Sequence, residues 1–208
     1  MARGPKQLEM RLPAHGGKRS GAGRKPAGKT AGVTHKRRPA LSRRHPVHVT
    51  MRVRQEVRNL RSRRCFRAIA TAFARGKQRD GFRLVHFSVQ GNHLHLIVEA
   101  ETAERLARGI QGLAIRLARG LNRVMQRRGE VFVDRYHAHA LSTPTEVANA
   151  LAYVLGNFVR HAARRGETIS ASWIDAYSSA AVSVELTGPP LVVAPRTWLL
   201  SIGWRRIV

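Results

Sequence analysis

The chain has 208 residues, enough for one well-buried domain with tails and short for two. Its 38 Lys and Arg against 12 Asp and Glu leave a formal charge of +26, which points to a polyanionic partner, nucleic acid first. No 18-residue apolar run, lipidation signal or secretory leader supports a membrane protein, and a lone cysteine, Cys65, excludes an internal disulfide and suits a reducing cytoplasm.

Residues 1–44 are rich in Gly, Pro, Lys and Arg, with Glu9 the only acid. Such a stretch buries too little apolar surface to offset its chain entropy, so a disordered basic arm is expected. Within it, Arg24 and Lys25 sit in a Gly-Ala-Gly-Arg-Lys-Pro run similar to Arg-centred segments that lie in the DNA minor groove; a solvating tail is the other reading.

The folded domain is expected over 45–166. Val47 to Val53 alternates as a first strand, and Leu60, Phe66, Ile69 and Phe73 mark a helix ending at Gly76. Leu84 to Gln90 reads as a second strand, with Val85, Phe87 and Val89 on one face and His86, Ser88 and Gln90 on the other. Gly91-Asn92 predicts a tight turn into a third strand headed by His93-Leu94-His95. Residues two apart on a strand project from the same face about 7 Å apart, so two imidazoles so placed can share one metal ion. A two-residue turn puts Ser88 opposite His95.

A long helix follows, about Thr102 to Arg127, with a buried stripe at Leu106, Ile110, Leu113, Leu117, Leu121 and Val124. Its Arg105, Arg108, Arg116, Arg119 and Arg123 either contact phosphate or form a solvated face. Val131 to His137 reads as a fourth strand, bringing Arg135, Tyr136 and His137 as further candidate DNA contacts. The next helix has a clear start: Thr143 as N-cap, Pro144 at the first helical position and Glu146 closing a capping box. It runs to about Arg165. Val147, Ala150, Leu151, Val154 and Phe158 share one face; Tyr153 falls well off that stripe, with Asn157 one turn later between them. Residues 167–208 form an extension without an assignable role, with a strand expected at Val182 to Leu186 and a packed segment at Pro195 to Trp204. The element order predicts an α+β fold, a ferredoxin-like antiparallel sheet with helices.

At this point the chain resembles a known family. Leu84 to Glu99, with its His-Leu-His strand, Val131 to His137, and Tyr153-Val154-Leu155-Gly156-Asn157 are similar to the one-tyrosine HUH transposases, most like the REP-associated tyrosine transposases of IS200-like type. The similarity spans about residues 45–165. Two departures mark a divergent branch: Phe158 stands where the family usually has Pro, and Gln90-Gly91-Asn92 where it often has Met-Pro-Asn. Neither removes a chemical group.

The resemblance implies a metal-dependent enzyme that cleaves and rejoins single-stranded or hairpin DNA, as monomer or homodimer. His93 and His95 would hold Mg²⁺ or Mn²⁺, with Asn157 as an oxygen ligand. Tyr153 would be the nucleophile, leaving a 5′-phosphotyrosine and a free 3′-hydroxyl. Competing readings stay open. His137 and His139 form a second His-x-His pair, and Tyr136 or Tyr177 could be the nucleophile. His48 and His86 read as satisfied strand residues. A histidine-triad hydrolase would need its third histidine at Ile97, and a structural zinc site lacks ligands at suitable spacing. The rival from another class is a non-catalytic nucleic-acid-binding protein on the same sheet, which would expose aromatics for base stacking, where this chain has histidines.

Overall fold

The computed structural model describes residues 40–57, 59–164, 166–170, 173–181 and 189–207. Arg24, Lys25 and the expected strand at 182–186 lie outside the described residues.

Strand β1 (Val47–Arg52) buries Val47, Val49 and Met51 and turns His48, Thr50 and Arg52 to the other side. Helix α1 (Arg63–Gly76) opens on Ser62, whose hydroxyl accepts from the Cys65 N–H. Two short steps follow, β2 (Gln78–Arg79) and then β3 (Phe82–Val89), which forms a hairpin with β4 (His93–Ala100). Helix α2 (Ala103–Val124), capped by Thr102, leads through an irregular segment to β5 (His137–Ala140). Helix α3 (Pro144–Arg164) precedes the C-terminal segment with α4 (Trp198–Ser201) and a 3-10 turn at Gly203–Arg206.

The sheet is antiparallel in the order β2-β3-β4-β1-β5. Without the two-residue β2 this is the ferredoxin-like order, as expected. Alternation along the strands splits the interior in two. One face carries Val47, Val49, Phe87, Leu94, Leu96 and Val98 into a core closed by α1 and α2. The other carries Val85 and Ile97 into a smaller core with Val147, Leu151 and Val154 of α3 and Leu199 and Leu200 of α4.

Two strand expectations need correction. Val85 does not share a face with Phe87 and Val89. Leu84 pairs with Val98 but His86 pairs with Ile97, so Val85 is the extra residue of a bulge and turns toward α3. From His86 onward the expected alternation holds. The fourth strand also starts late. Val131 and Val133 only bridge the end of β1 (Arg54 N–H to Val131 O, 2.8 Å; Val133 N–H to Arg52 O, 3.1 Å). The Asp134 carboxylate then takes the Arg135 N–H at 2.6 Å, a local bond that competes with the ladder, and pairing resumes at His137.

The capping box forms as expected. Thr143 Oγ1 accepts from the Glu146 N–H and Glu146 Oε2 accepts from the Thr143 N–H, at 3.2 and 3.1 Å. Hydrogen bonds from Ser142, with help from that backbone N–H, hold the Glu146 carboxyl down to about 2. The C-terminal segment closes open surfaces. The Val89 N–H donates to Tyr177 O, and the Ser179 N–H to Phe87 O, covering the stretch of β3 that β2 is too short to pair. Buried Glu99 accepts the N–H groups of Arg196 and Thr197 and the Thr197 hydroxyl, anchoring the start of α4 over the α3 side of the sheet.

Candidate active site

His93 and His95 begin β4 on the face toward α3. The turn before them is fixed three ways: the Gln90 N–H donates to His93 O, the Val53 N–H to Asn92 O and the Leu60 N–H to Gly91 O, each at 2.9–3.0 Å. Ser88 lies opposite His95 on β3, as the two-residue turn predicts, and Thr50 lies opposite it on β1.

The two rings are nearly perpendicular, and their Nε2 atoms approach to 2.9 Å. Their other nitrogens are engaged. His93 Nδ1 is 2.7 Å from Asn92 Oδ1, an acceptor, so that nitrogen carries the proton. His95 Nδ1 is 3.2 Å from both Thr50 Oγ1 and His48 Nε2. Burial first, then the neighbouring His137 and His139, lower the pKa of His48 to about 4, so at neutral pH its ring is uncharged and able to accept. Where Thr50 or His48 donates to His95 Nδ1, His95 Nε2 donates to His93 Nε2 and the contact is a neutral hydrogen bond. Where His95 Nδ1 donates instead, both Nε2 lone pairs are left for a cation. In that tautomer the two nitrogens, 2.9 Å apart, would be close enough to share one divalent ion, with Asn92 and Thr50 orienting the rings.

Helix α3 brings the remaining groups. Val147, Leu151 and Val154 bury its stripe, which leaves Tyr153 at the stripe's edge and 37% exposed. Its ring centroid is 5.1 Å from that of His95 and 5.9 Å from that of His48. Asn157, one turn on, is 1% exposed, and its Nδ2 has no hydrogen-bond partner. Because amide O and N are assigned by their bonding, this is a buried amide with an uncommitted end. Among the described residues no group of three His, Cys, Asp or Glu side chains is placed to hold a metal, so a third protein ligand would come from an amide or hydroxyl.

The stretch after Asn157 is held by contacts remote in sequence. Arg61 forms a two-pronged bond to Asp175 (2.8 and 2.9 Å) and donates to Val89 O. Its guanidinium also covers the rings of Phe158, at 4.0 Å, and Tyr177, at 4.4 Å, while Phe158 stacks on Trp173. The end of α3 is thus tied to the hairpin end that carries His93. Sequence reading missed Thr50 and the Arg61–Asp175 pair, and it set His48 aside as a satisfied strand residue. The alternation of β1 was the available signal for Thr50 and His48, since it turns both away from Val47, Val49 and Met51.

The other candidates are placed elsewhere. His137 and His139 face the same side of the sheet but stand on the edge strand β5, opposite Thr50 and His48, so β1 separates them from His95; His139 lies 3.7 Å from Glu146. Tyr136 packs half-buried against the larger core, and Tyr177 sits edge-on to Phe66. Arg135 is exposed. Arg105 pairs with Asp80 and Arg108 with Glu104, whereas Arg116, Arg119 and Arg123 gather beside α1.

Comparison with known proteins follows the same outline. Among solved structures, a REP-associated tyrosine transposase bound to a REP hairpin is similar over 79% of this chain and 93% of its own, with TM-score 0.54 and 14% identity, a likeness of fold. A candidate transposase from Deinococcus radiodurans R1 is similar over 65% of this chain and 98% of its own, with TM-score 0.40 and 12% identity. No curated protein matches the chain. A family model described as "Transposase IS200 like" matches residues 42–157, from the approach to β1 through Asn157, and the chain belongs to that family.

Proposed function

We propose that the chain is a metal-dependent endonuclease and strand transferase for single-stranded, hairpin-bearing DNA, acting through a covalent link to Tyr153. The observation that carries this reading is the half-exposed Tyr153 ring packed against His95, whose Nε2 converges with that of His93. His93, His95 and the Asn157 amide would hold Mg²⁺ or Mn²⁺. Bound there, the ion supplies a Lewis acid for the scissile phosphate.

The protein's own groups do the rest. Asn92 Oδ1 favours the His93 tautomer whose Nε2 can ligate, and Thr50 acting as acceptor would do the same for His95. Tyr153 presents its hydroxyl from a rigid helix at an accessible edge. In the proposed step the Tyr153 oxygen bonds to phosphorus and the bond to the leaving 3′-oxygen breaks. The phenol loses its proton, and the departing strand ends as a 3′-hydroxyl. One phosphodiester replaces another, so a second 3′-hydroxyl can reverse the step and join strands. The hairpin preference rests on the fold shared with a transposase solved on a REP hairpin.

A denaturing gel tests this. Single-stranded hairpin oligonucleotides flanking the gene, incubated with Mn²⁺ or Mg²⁺, should yield a protein–DNA adduct that chelation and Tyr153→Phe both abolish. An adduct that survives Tyr153→Phe moves the nucleophile to Tyr136 or Tyr177. Hairpin binding with no adduct across a panel of such oligonucleotides would make the protein a binder of hairpins only.

A further inference from the structure

On the side of the sheet away from Tyr153, α1 and α2 pack antiparallel, with Gly120 set against Ala68 and Arg64 Nη2 within 3.4 Å of Val124 O. A Cβ on Gly120 would already lie 3.4 Å from that of Ala68, so the small residues let the helices approach and leave a shallow floor of Ala68, Ala72 and Gly120. Above it opens a groove of about 540 Å³, walled by Arg64, Arg67 and Arg75 of α1 and Arg116, Arg119 and Arg123 of α2. No carboxylate lines it, and among the described residues none of the six arginines takes part in an ion pair. Arg105 and Arg108, on the same helix, contrast with them, each set against an acid.

Six guanidinium groups crowded without counter-charge repel one another, and a polyanion relieves that cost. The arginines recur at steps of three and eight on α1 and of three and four on α2, so each helix presents one stripe. From Arg64 to Arg75 the stripe spans about 16 Å at 1.5 Å per residue, the axial length of roughly five base pairs. Guanidinium groups bind phosphate oxygens in pairs, and the groove has no exposed aromatic on which an unpaired base could stack.

We infer that this groove is a second DNA-binding surface, seating the phosphate backbone of a double-stranded segment while a single strand reaches Tyr153 on the opposite side of the sheet. The inference rests on the proposed reaction for its setting, but its test does not. The full chain is titrated with a short blunt DNA duplex and, separately, with an unstructured single-stranded oligonucleotide, across a range of salt.

In Arg67→Gln/Arg119→Gln, duplex affinity should fall about tenfold or more. The slope of log affinity against log salt should shrink by about two, one unit for each phosphate no longer neutralised. Single-strand binding should change far less, and Arg105→Gln/Arg108→Gln should leave the duplex slope close to wild type. Equal losses for duplex and single strand, or equal losses in the two double variants, would overturn the inference in favour of bulk charge. Tighter seating of an RNA duplex than of DNA would overturn the choice of partner. An adduct assay run in parallel separates the two ideas: loss of duplex binding with no adduct in wild type condemns the reaction and not the groove.

Discussion

The two faces of one sheet do different work. Toward α1 and α2, the strands offer Val47, Val49, Leu94, Leu96 and Val98 to a continuous apolar core. Toward α3, the intervening residues include His48, Thr50, Ser88, His93, His95 and Glu99, with a smaller apolar core. A single-residue alternation therefore separates the larger core from the side chains the proposed reaction would use. A change on one face should be felt as stability and on the other as chemistry.

Adjacent residues of β4 give the sharpest test. His95→Ala should reduce metal-dependent cleavage by about 10³-fold, as expected for a group acting in the transition state. Its melting temperature should stay within a few degrees of wild type. Leu96→Ala should cost about 2–5 kcal/mol of stability, read by denaturant unfolding, with near-normal adduct yield per folded molecule. If both substitutions unfold the protein alike, the division between faces fails.

Asp175→Ala breaks the comparison by design, because the Arg61–Asp175 pair spans both faces. Removing the carboxylate leaves Arg61 partly buried without its partner and should cost about 3 kcal/mol. Phe158 and the end of α3 should loosen with it. Adduct formation should then fall even at temperatures where the protein stays folded, and unchanged adduct yield would make this clamp purely structural.

The most gradual effect is the pH response of the site-facing side. Burial lowers the His86 pKa to about 4 against an opposing pull from Glu99, and it lowers His48 similarly. Between about pH 6.5 and 4 the unfolded chain binds protons that the folded chain refuses. Stability is therefore full above pH 6.5 and declines as pH falls toward 4, by at most about 1.4 kcal/mol per pH unit for each histidine. His86→Gln should flatten that slope in denaturant melts taken across the window, and an unaltered slope would assign the pH response elsewhere.

What could be read in the sequence was what lies close along it. The capping box joins Thr143 to Glu146, and the His93–His95 strand follows a turn of two residues. Off-stripe Tyr153 and inward-leaning Asn157 needed only helical geometry. The resemblance to the transposases reached as far as such local motifs do. What escaped depended on pairing across distance. Thr50 meets His95 across 45 positions and Arg61 meets Asp175 across 114, and no window contains either pair. The bulge at Val85 escaped for a related reason, since a strand shows its extra residue only against a partner. The arginines of α2 could be seen but not sorted. Only the position of α1 separates the three in the groove from the two beside acids.

The facing Nε2 atoms of His93 and His95 have a consequence for the acidity of the medium. Imidazole ligates only in its neutral form, so under the proposed reading a metal ion would compete with protons for these two rings. Metal would then be held more tightly as the medium becomes more alkaline, and proton supply would control when the site is armed.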